Sequence, residues 1–143
     1  MKKELIASWL KMWLLRVRQK DFEKIKSMIK SAETNTEVVN EIKLNEKTAT
    51  LIYREIYESI RQLGDAKWWL LGYEPLVHDV SMEILKESEI QDKVKLNSLD
   101  RFKKTRHDIN YRGFMTSVFQ AQEILDFWNN SGKEIVNELK KQF

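Results

Sequence analysis

The chain has 143 residues, of which 33% are charged and 42% are hydrophobic, and its formal net charge is +3. This is the size of one domain, so we expect a single domain over residues 1–143 that buries enough surface to fold without a disulfide or structural metal. The absence of cysteine excludes a disulfide framework and a thiolate metal site. One proline and four glycines are too few for the many turns of a β-sandwich or barrel, so the composition predicts an all-α fold.

Charge is unevenly distributed along the chain. Residues 1–30 contain nine basic and three acidic residues, residues 31–100 contain eight and fourteen, and residues 101–143 contain eight and five. Two interpretations stay open: the charges pair between neighbouring helices, or the basic ends form a surface for nucleic acid. The richest apolar stretch, residues 5–15, is interrupted by Lys11 and is too short to cross a bilayer. We therefore expect a cytoplasmic protein without a membrane partner.

The N-terminal half predicts two long helices. The first begins near Lys3, bends near residues 19–21 and continues to Ala32. The polar stretch "SAETNTE", residues 31–37, is predicted to connect it to the second helix. Apolar residues at spacings of three and four then predict a helix from Ala49 to Gly72. The adjacent pair Trp68–Trp69 in this helix cannot face one core together, so one of the two is expected at an oligomer contact.

Three more helices are predicted after Gly72, which suits the position that follows a helix end. Pro75 is expected in the first turn of the third helix, and Asn97 or Ser98 at the N-cap of the fourth. Gly113 ends the fourth helix, and the fifth carries one apolar face from Val118 to Leu139, with Gly132 where another helix can come close. The prediction is an up-and-down bundle of about five helices.

One charged residue in the fourth helix lies where an apolar one is expected. Leu99, Phe102 and Ile109 form an apolar stripe, and at about 100° per residue Arg106 falls within it. A buried guanidinium needs a partner. Either Arg106 pairs with a glutamate of the second helix, or it lines a cleft or a two-fold interface where it can bind a phosphate.

Arg106 belongs to a polar cluster on the same helix. Asn110 lies on its face, and His107 and Tyr111, four residues apart, form the neighbouring edge. The other histidine, His78, follows the only proline and is predicted to pack or to cap a helix. Two histidines without cysteine give no zinc signature, so no metal and no cofactor are expected.

The sequence "RFKKTRHDINYRG", residues 101–113, followed by a long amphipathic helix, resembles the HEPN family (higher eukaryotes and prokaryotes nucleotide-binding domain). The segment "GYEPLVHDVSMEIL", residues 72–85, is similar to the region between that family's second and third helices. The family's signature is an arginine, often followed by a polar residue, with a histidine four to six residues after the arginine. Members that keep the signature cleave RNA without a metal.

Two alignments of this signature are open to the sequence. Arg101 and His107 match its spacing literally, but they lie about 120° apart on the helix, and Arg101 faces away from the stripe. In the other alignment, Arg106 is the signature arginine, His107 the polar residue after it, and Tyr111 replaces the histidine. The periodicity favours the second alignment. This alignment departs from the family pattern, since Tyr111 stands where the histidine is expected, and tyrosine is a poor base at neutral pH.

The resemblance implies a small helical homodimer that binds RNA or a nucleotide, in a toxin–antitoxin or defence system with a nucleotidyltransferase-type antitoxin as partner. It implies Arg106, His107 and Tyr111 as catalytic residues of a metal-independent ribonuclease. The residues expected to bind nucleic acid are Lys103, Lys104, Asn110 and Arg112. The alternative is a catalytically inactive helical dimer that serves as a nucleotide-binding or protein-interaction module, with a surface built from the Trp-rich first and second helices.

Overall fold

The computed structural model describes residues 1–143 and has an all-α architecture with one small sheet, which confirms the predicted fold class. The helices are α1 (Lys3–Lys11), α2 (Phe22–Asn40), α3 (Ala49–Leu70), α4 (His78–Leu85), α5 (Leu99–Arg112), α6 (Val118–Phe127) and α7 (Lys133–Lys140). The strands are β1 (Leu15–Val17) and β2 (Tyr73–Pro75), and a 3₁₀ helix (Lys93–Ser98) precedes α5. No helix is both long enough and apolar enough to cross a membrane.

The N-terminal segment differs most from its prediction. The chain leaves α1 through Trp13, whose φ of 60° ends the helix, and β1 then pairs antiparallel with β2. The predicted continuous helix to Ala32 is therefore wrong. The position of Pro75 is wrong as well, because it lies in β2 opposite Leu15 instead of in a helical turn. A proline is tolerated in a short edge strand, where its missing N–H removes no essential ladder hydrogen bond.

The polar stretch 31–37 lies inside α2, so the predicted connection there is also wrong. Asp21 starts this helix by accepting a hydrogen bond from the backbone N–H of Lys24 at 3.1 Å. Ala32, Thr36 and Val39 are all buried on the face toward α3. The Thr36 hydroxyl donates a hydrogen bond to the carbonyl oxygen of Ala32 at 2.9 Å. Because this bond satisfies the hydroxyl, a polar residue can occupy the core face of the helix.

The central helix α3 was predicted correctly and separates two apolar cores. Trp69, 7% exposed, belongs to the larger core with α2, α5, α6 and α7. Trp68, fully buried, belongs to a smaller core with Leu15 of β1 and Val80 and Ile84 of α4. The expectation that one tryptophan marks an oligomer contact is wrong, because the N-terminal hairpin and α4 cover the second face of α3.

The C-terminal half follows the prediction closely. Gly113 ends α5 with φ of 66°, and Ser98 precedes α5 but makes no side-chain cap because the 3₁₀ helix leads directly into it. The predicted fifth helix is α6 and α7 joined by a π-helical segment, Trp128–Gly132. Gly132 makes room for the Trp128 ring of the same segment, not for another helix.

Candidate functional site

The apolar stripe of α5 packs as the sequence predicts. Leu99, Phe102 and Ile109 are buried, and Arg106 lies at the border of this face, half-buried. Its guanidinium carbon lies 5.8 Å from the centre of the Tyr57 ring on α3. Burial raises the pKa of Tyr57 to about 12, and the charge of Arg106 acts in the opposite direction. Arg106 therefore lies where α5 crosses α3, with its charged end at the surface.

The Arg106 cleft is the open groove between these two helices. It is lined by Arg54, Glu55 and Glu58 from α3 and by Arg106, Asn110 and Tyr111 from α5. One turn of α3 thus faces the last turns of α5, and each helix contributes one arginine.

Arg106 has no carboxylate partner. In the amide orientation that satisfies both residues, the Asn110 side-chain oxygen accepts hydrogen bonds from Nε and one terminal nitrogen of Arg106, each at 3.1 Å. A guanidinium has five N–H donors, so the others stay free. The expected alternative, an internal ion pair with a glutamate of the second helix, is wrong. Asn110 instead orients the guanidinium without neutralising it.

Glu58, which lines the cleft with Arg106, is bonded to a different arginine. Its Oε1 accepts from Nε of Arg61 at 3.0 Å and from a terminal nitrogen of the same guanidinium. Burial acts to raise the pKa of Glu58, but the hydrogen bond and the charge of Arg61 outweigh it and lower the pKa below its usual range. Glu58 is therefore ionised at neutral pH and already paired.

His107 and Tyr111 form a stacked pair beside the cleft. Their ring centres are 4.7 Å apart with a tilt of 40°. Tyr111 is 72% exposed and lines the cleft, whereas His107 is exposed and does not line it. The structure brings Arg106, Asn110 and Tyr111 together and places His107 next to them, outside the cleft lining.

The remaining basic residues of α5 lie around this group. Lys103 is near Asp79 of α4, with Nζ 3.6 Å from the carboxylate, and Arg112 is near Asp108 at 3.7 Å. Lys104 is exposed and makes no ion pair. None of the three lines the cleft, so they are available to a longer nucleic acid but not to a ligand confined to the groove.

Arg101, the arginine of the other signature alignment, is paired. Its guanidinium binds the Glu123 carboxylate of α6 at 2.7 Å. An arginine already bound to a carboxylate is a poorer phosphate ligand than one with free donors. The two candidate signature arginines therefore differ: Arg101 is paired with a carboxylate, whereas Arg106 keeps free donors.

Two residues near Arg106 were not identified from the sequence as part of this region. Arg54 of α3 lines the cleft, and its spacing along α3 gives no sign of this because the contact depends on where α5 crosses. His78, expected to pack or cap, is the exposed first residue of α4 and makes no cap. Burial and then the charges of Arg61 and Arg106 lower the pKa of His78, so its imidazole is neutral at pH 7.

The site can bind an anion and hold it near two aromatic rings. Arg106 supplies free charged donors, Arg54 adds a second positive charge, and the Tyr111–His107 pair offers a stacking surface. No three histidine, aspartate or glutamate side chains come together as a metal-binding group. Comparisons of the chain with protein-family models, with curated proteins and with solved structures found no significant match.

Proposed function

We propose that this protein is a HEPN-like RNA-binding protein that cleaves RNA without a metal ion. The observation that carries the proposal is the state of Arg106, a half-buried arginine that is oriented by Asn110, has no carboxylate partner and opens onto a cleft. A guanidinium that is held in place and keeps free N–H donors at the surface of a cleft is suited to bind an anion. A phosphate of RNA fits both the charge and the bidentate geometry of a guanidinium.

The reaction is attack of a ribose 2′-oxygen on the adjacent phosphorus. The 2′-hydroxyl loses its proton, the new P–O bond forms a 2′,3′-cyclic phosphate, and the 5′-oxygen leaves and takes up a proton. Arg106 stabilises the negative charge that develops on the phosphoryl oxygens. His107 is the nearby group suited to moving these protons, and RNA that lies over Tyr111 can reach it.

The surroundings of the cleft suit a single strand. Tyr111 offers a face for stacking an unpaired base, and Lys104 and Arg112 lie on the same helix for contacts with neighbouring phosphates. The family resemblance adds a homodimer, which brings two copies of α5 to one groove, and a nucleotidyltransferase-type antitoxin as partner. Both belong to the proposal.

The test is a cleavage assay with end-labelled single-stranded RNA in the presence of EDTA. We expect cleavage by the wild type and by Arg101→Ala, and a loss of at least about 100-fold in Arg106→Ala because the transition-state charge loses its ligand. Arg101→Ala is the matched control, since it removes an arginine of the same helix that is paired with Glu123. Equal rates in Arg106→Ala and Arg101→Ala would contradict the proposed site.

A second candidate function is a non-catalytic interaction module. It is favoured by the exposed side chains where α1 turns into β1: Met12 is 61% exposed and Trp13 is 76% exposed. Of the tryptophans in the first and second predicted helices, only Trp13 is exposed to this extent, so the surface is smaller than the sequence indicated. The test compares the sedimentation of the wild type and Trp13→Ser. Self-association of the wild type alone, together with no RNA cleavage in any buffer, would favour this candidate.

A further inference from the structure

A chain of hydrogen bonds links α4 to the Arg106 cleft. The Ser81 hydroxyl, buried in α4, donates to Oδ1 of Asp65, and Oδ2 of Asp65 accepts from Arg61 at 2.7 Å. The other side of the Arg61 guanidinium binds Glu58. The side chains of Arg61 and Asp65 are only 18% and 15% exposed, so solvent screens this network weakly. Asp65 thus fixes one side of the Arg61 guanidinium, and the other side holds Glu58.

Two carboxylates, Glu55 and Glu58, line the cleft with Arg106, and Glu58 is the one that Arg61 binds. Glu58 and Arg106 line the same cleft, and the charge of Arg106 acts to lower the pKa of Glu58. No oxygen of Glu58, however, lies within 4.0 Å of the Arg106 guanidinium. The side chain of Glu58 is 40% exposed, so it has room to turn. When Arg61 no longer binds it, we expect the Glu58 carboxylate to turn toward the unpaired guanidinium of Arg106.

We propose that Arg61 is a positioning residue that holds Glu58 away from Arg106 and so keeps the Arg106 guanidinium available for an RNA phosphate. The inference rests on the proposed function in one respect, the identity of the anion. Arg61 does not itself line the cleft, and it acts only through Glu58. It also cancels the charge of a carboxylate that otherwise repels phosphate at the mouth of the site.

The first experiment measures binding of a fluorescein-labelled 2′-O-methyl oligoribonucleotide, which lacks the attacking hydroxyl and cannot be cleaved by the proposed reaction. The variants are made in an Asp65→Asn background, because removing Arg61 then leaves no buried carboxylate unpaired. We expect Arg61→Met to weaken binding about tenfold, and added Glu58→Gln to restore it to within about twofold.

A matched control separates this effect from a simple change in net charge. Arg101→Met followed by Glu123→Gln makes the same two charge changes in a surface pair of α5 and α6. We expect each of these variants to bind within about twofold of the wild type, since exposed pairs are screened. Rescue by Glu123→Gln as large as rescue by Glu58→Gln would overturn the positioning role.

The second experiment needs no RNA and therefore separates this inference from the proposed function. Urea unfolding measures the coupling between Glu58→Gln and Arg106→Ala in a double-mutant cycle. The cycle is run twice in the Asp65→Asn background, once with Arg61 present and once with Arg61→Met. We expect no coupling in the unfolding equilibrium constant while Arg61 is present and a coupling of about two- to fivefold without it. Coupling that is the same in both backgrounds would overturn the inference, whereas RNA binding that ignores Arg106→Ala would overturn only the proposed function.

Discussion

The close crossing of α3 and α4 at Gly64 gives the most direct test of the packing around the site. A Cβ atom at Gly64 would lie 2.0 Å from the backbone oxygen of Ser81 and 2.7 Å from its carbonyl carbon. Both contacts are with backbone, so no side chain can turn aside. Gly64→Ala must therefore push α4 away by about 1 Å or more.

The free energy of unfolding follows from three contributions. Overpacking against backbone costs about 3 kcal/mol, at the upper end of its usual range. Moving α4 also weakens the 2.7 Å hydrogen bond from the Trp68 indole to the Val80 carbonyl, at a cost of about 1 kcal/mol. Alanine gains about 1 kcal/mol over glycine inside a helix. We expect Gly64→Ala to be less stable than the wild type by about 3 kcal/mol.

Urea unfolding followed by tryptophan fluorescence measures this change, and the matched control is Gly132→Ala. There the nearest atom to an added Cβ is Cε3 of the buried Trp128 ring at 2.9 Å, which belongs to a side chain and not to backbone. We expect the control to lose less stability than Gly64→Ala, because the contact to be relieved is longer and a ring can shift where backbone cannot. A Gly64→Ala protein as stable as the wild type would refute the close approach of α3 and α4.

Two further predictions concern the smaller core and the second histidine. Trp68→Phe should lower the free energy of unfolding by about 2 kcal/mol or more, because it removes buried volume and the indole hydrogen bond. Substitution of the exposed Trp13 by serine should change the free energy of unfolding by less than about 0.5 kcal/mol. Equal effects of the two substitutions in urea titrations would contradict the two-core packing. Because the folded pKa of His78 is below the value of 6.5 that it has when unfolded, the unfolded state binds more protons, and stability should fall as pH is lowered through 6.5 toward the folded pKa. His78→Gln should make the free energy of unfolding less dependent on pH in that window, and an unchanged dependence would exclude His78 as its source.

Local sequence signals were sufficient for the course of α3 and for the ends of α3 and α5. The three–four spacing along α3 and the glycines at 72 and 113 predicted those helix ends, since both glycines adopt positive φ. The proximity of Asn110 to Arg106 also follows from their spacing of four. These features need no knowledge of the rest of the chain.

Features that depend on distant segments were not predictable in this way. The three-residue strand β1 has too few residues to show a period, and it exists because β2, nearly 60 positions later, pairs with it. The same pairing covers Trp68, so the sequence could not show that both adjacent tryptophans are buried. The α3 side of the cleft, with Arg54 and Glu58, depends on where α5 crosses α3.

The proposed site requires that an RNA phosphate binds Arg106. The direct measurement is the affinity of the uncleavable 2′-O-methyl oligoribonucleotide for Arg106→Ala and Arg101→Ala across a range of salt concentrations. We expect Arg106→Ala to bind about tenfold or more weakly with a shallower salt dependence, and Arg101→Ala to bind like the wild type. Equal affinities and equal salt slopes in the two variants would contradict a phosphate site at Arg106.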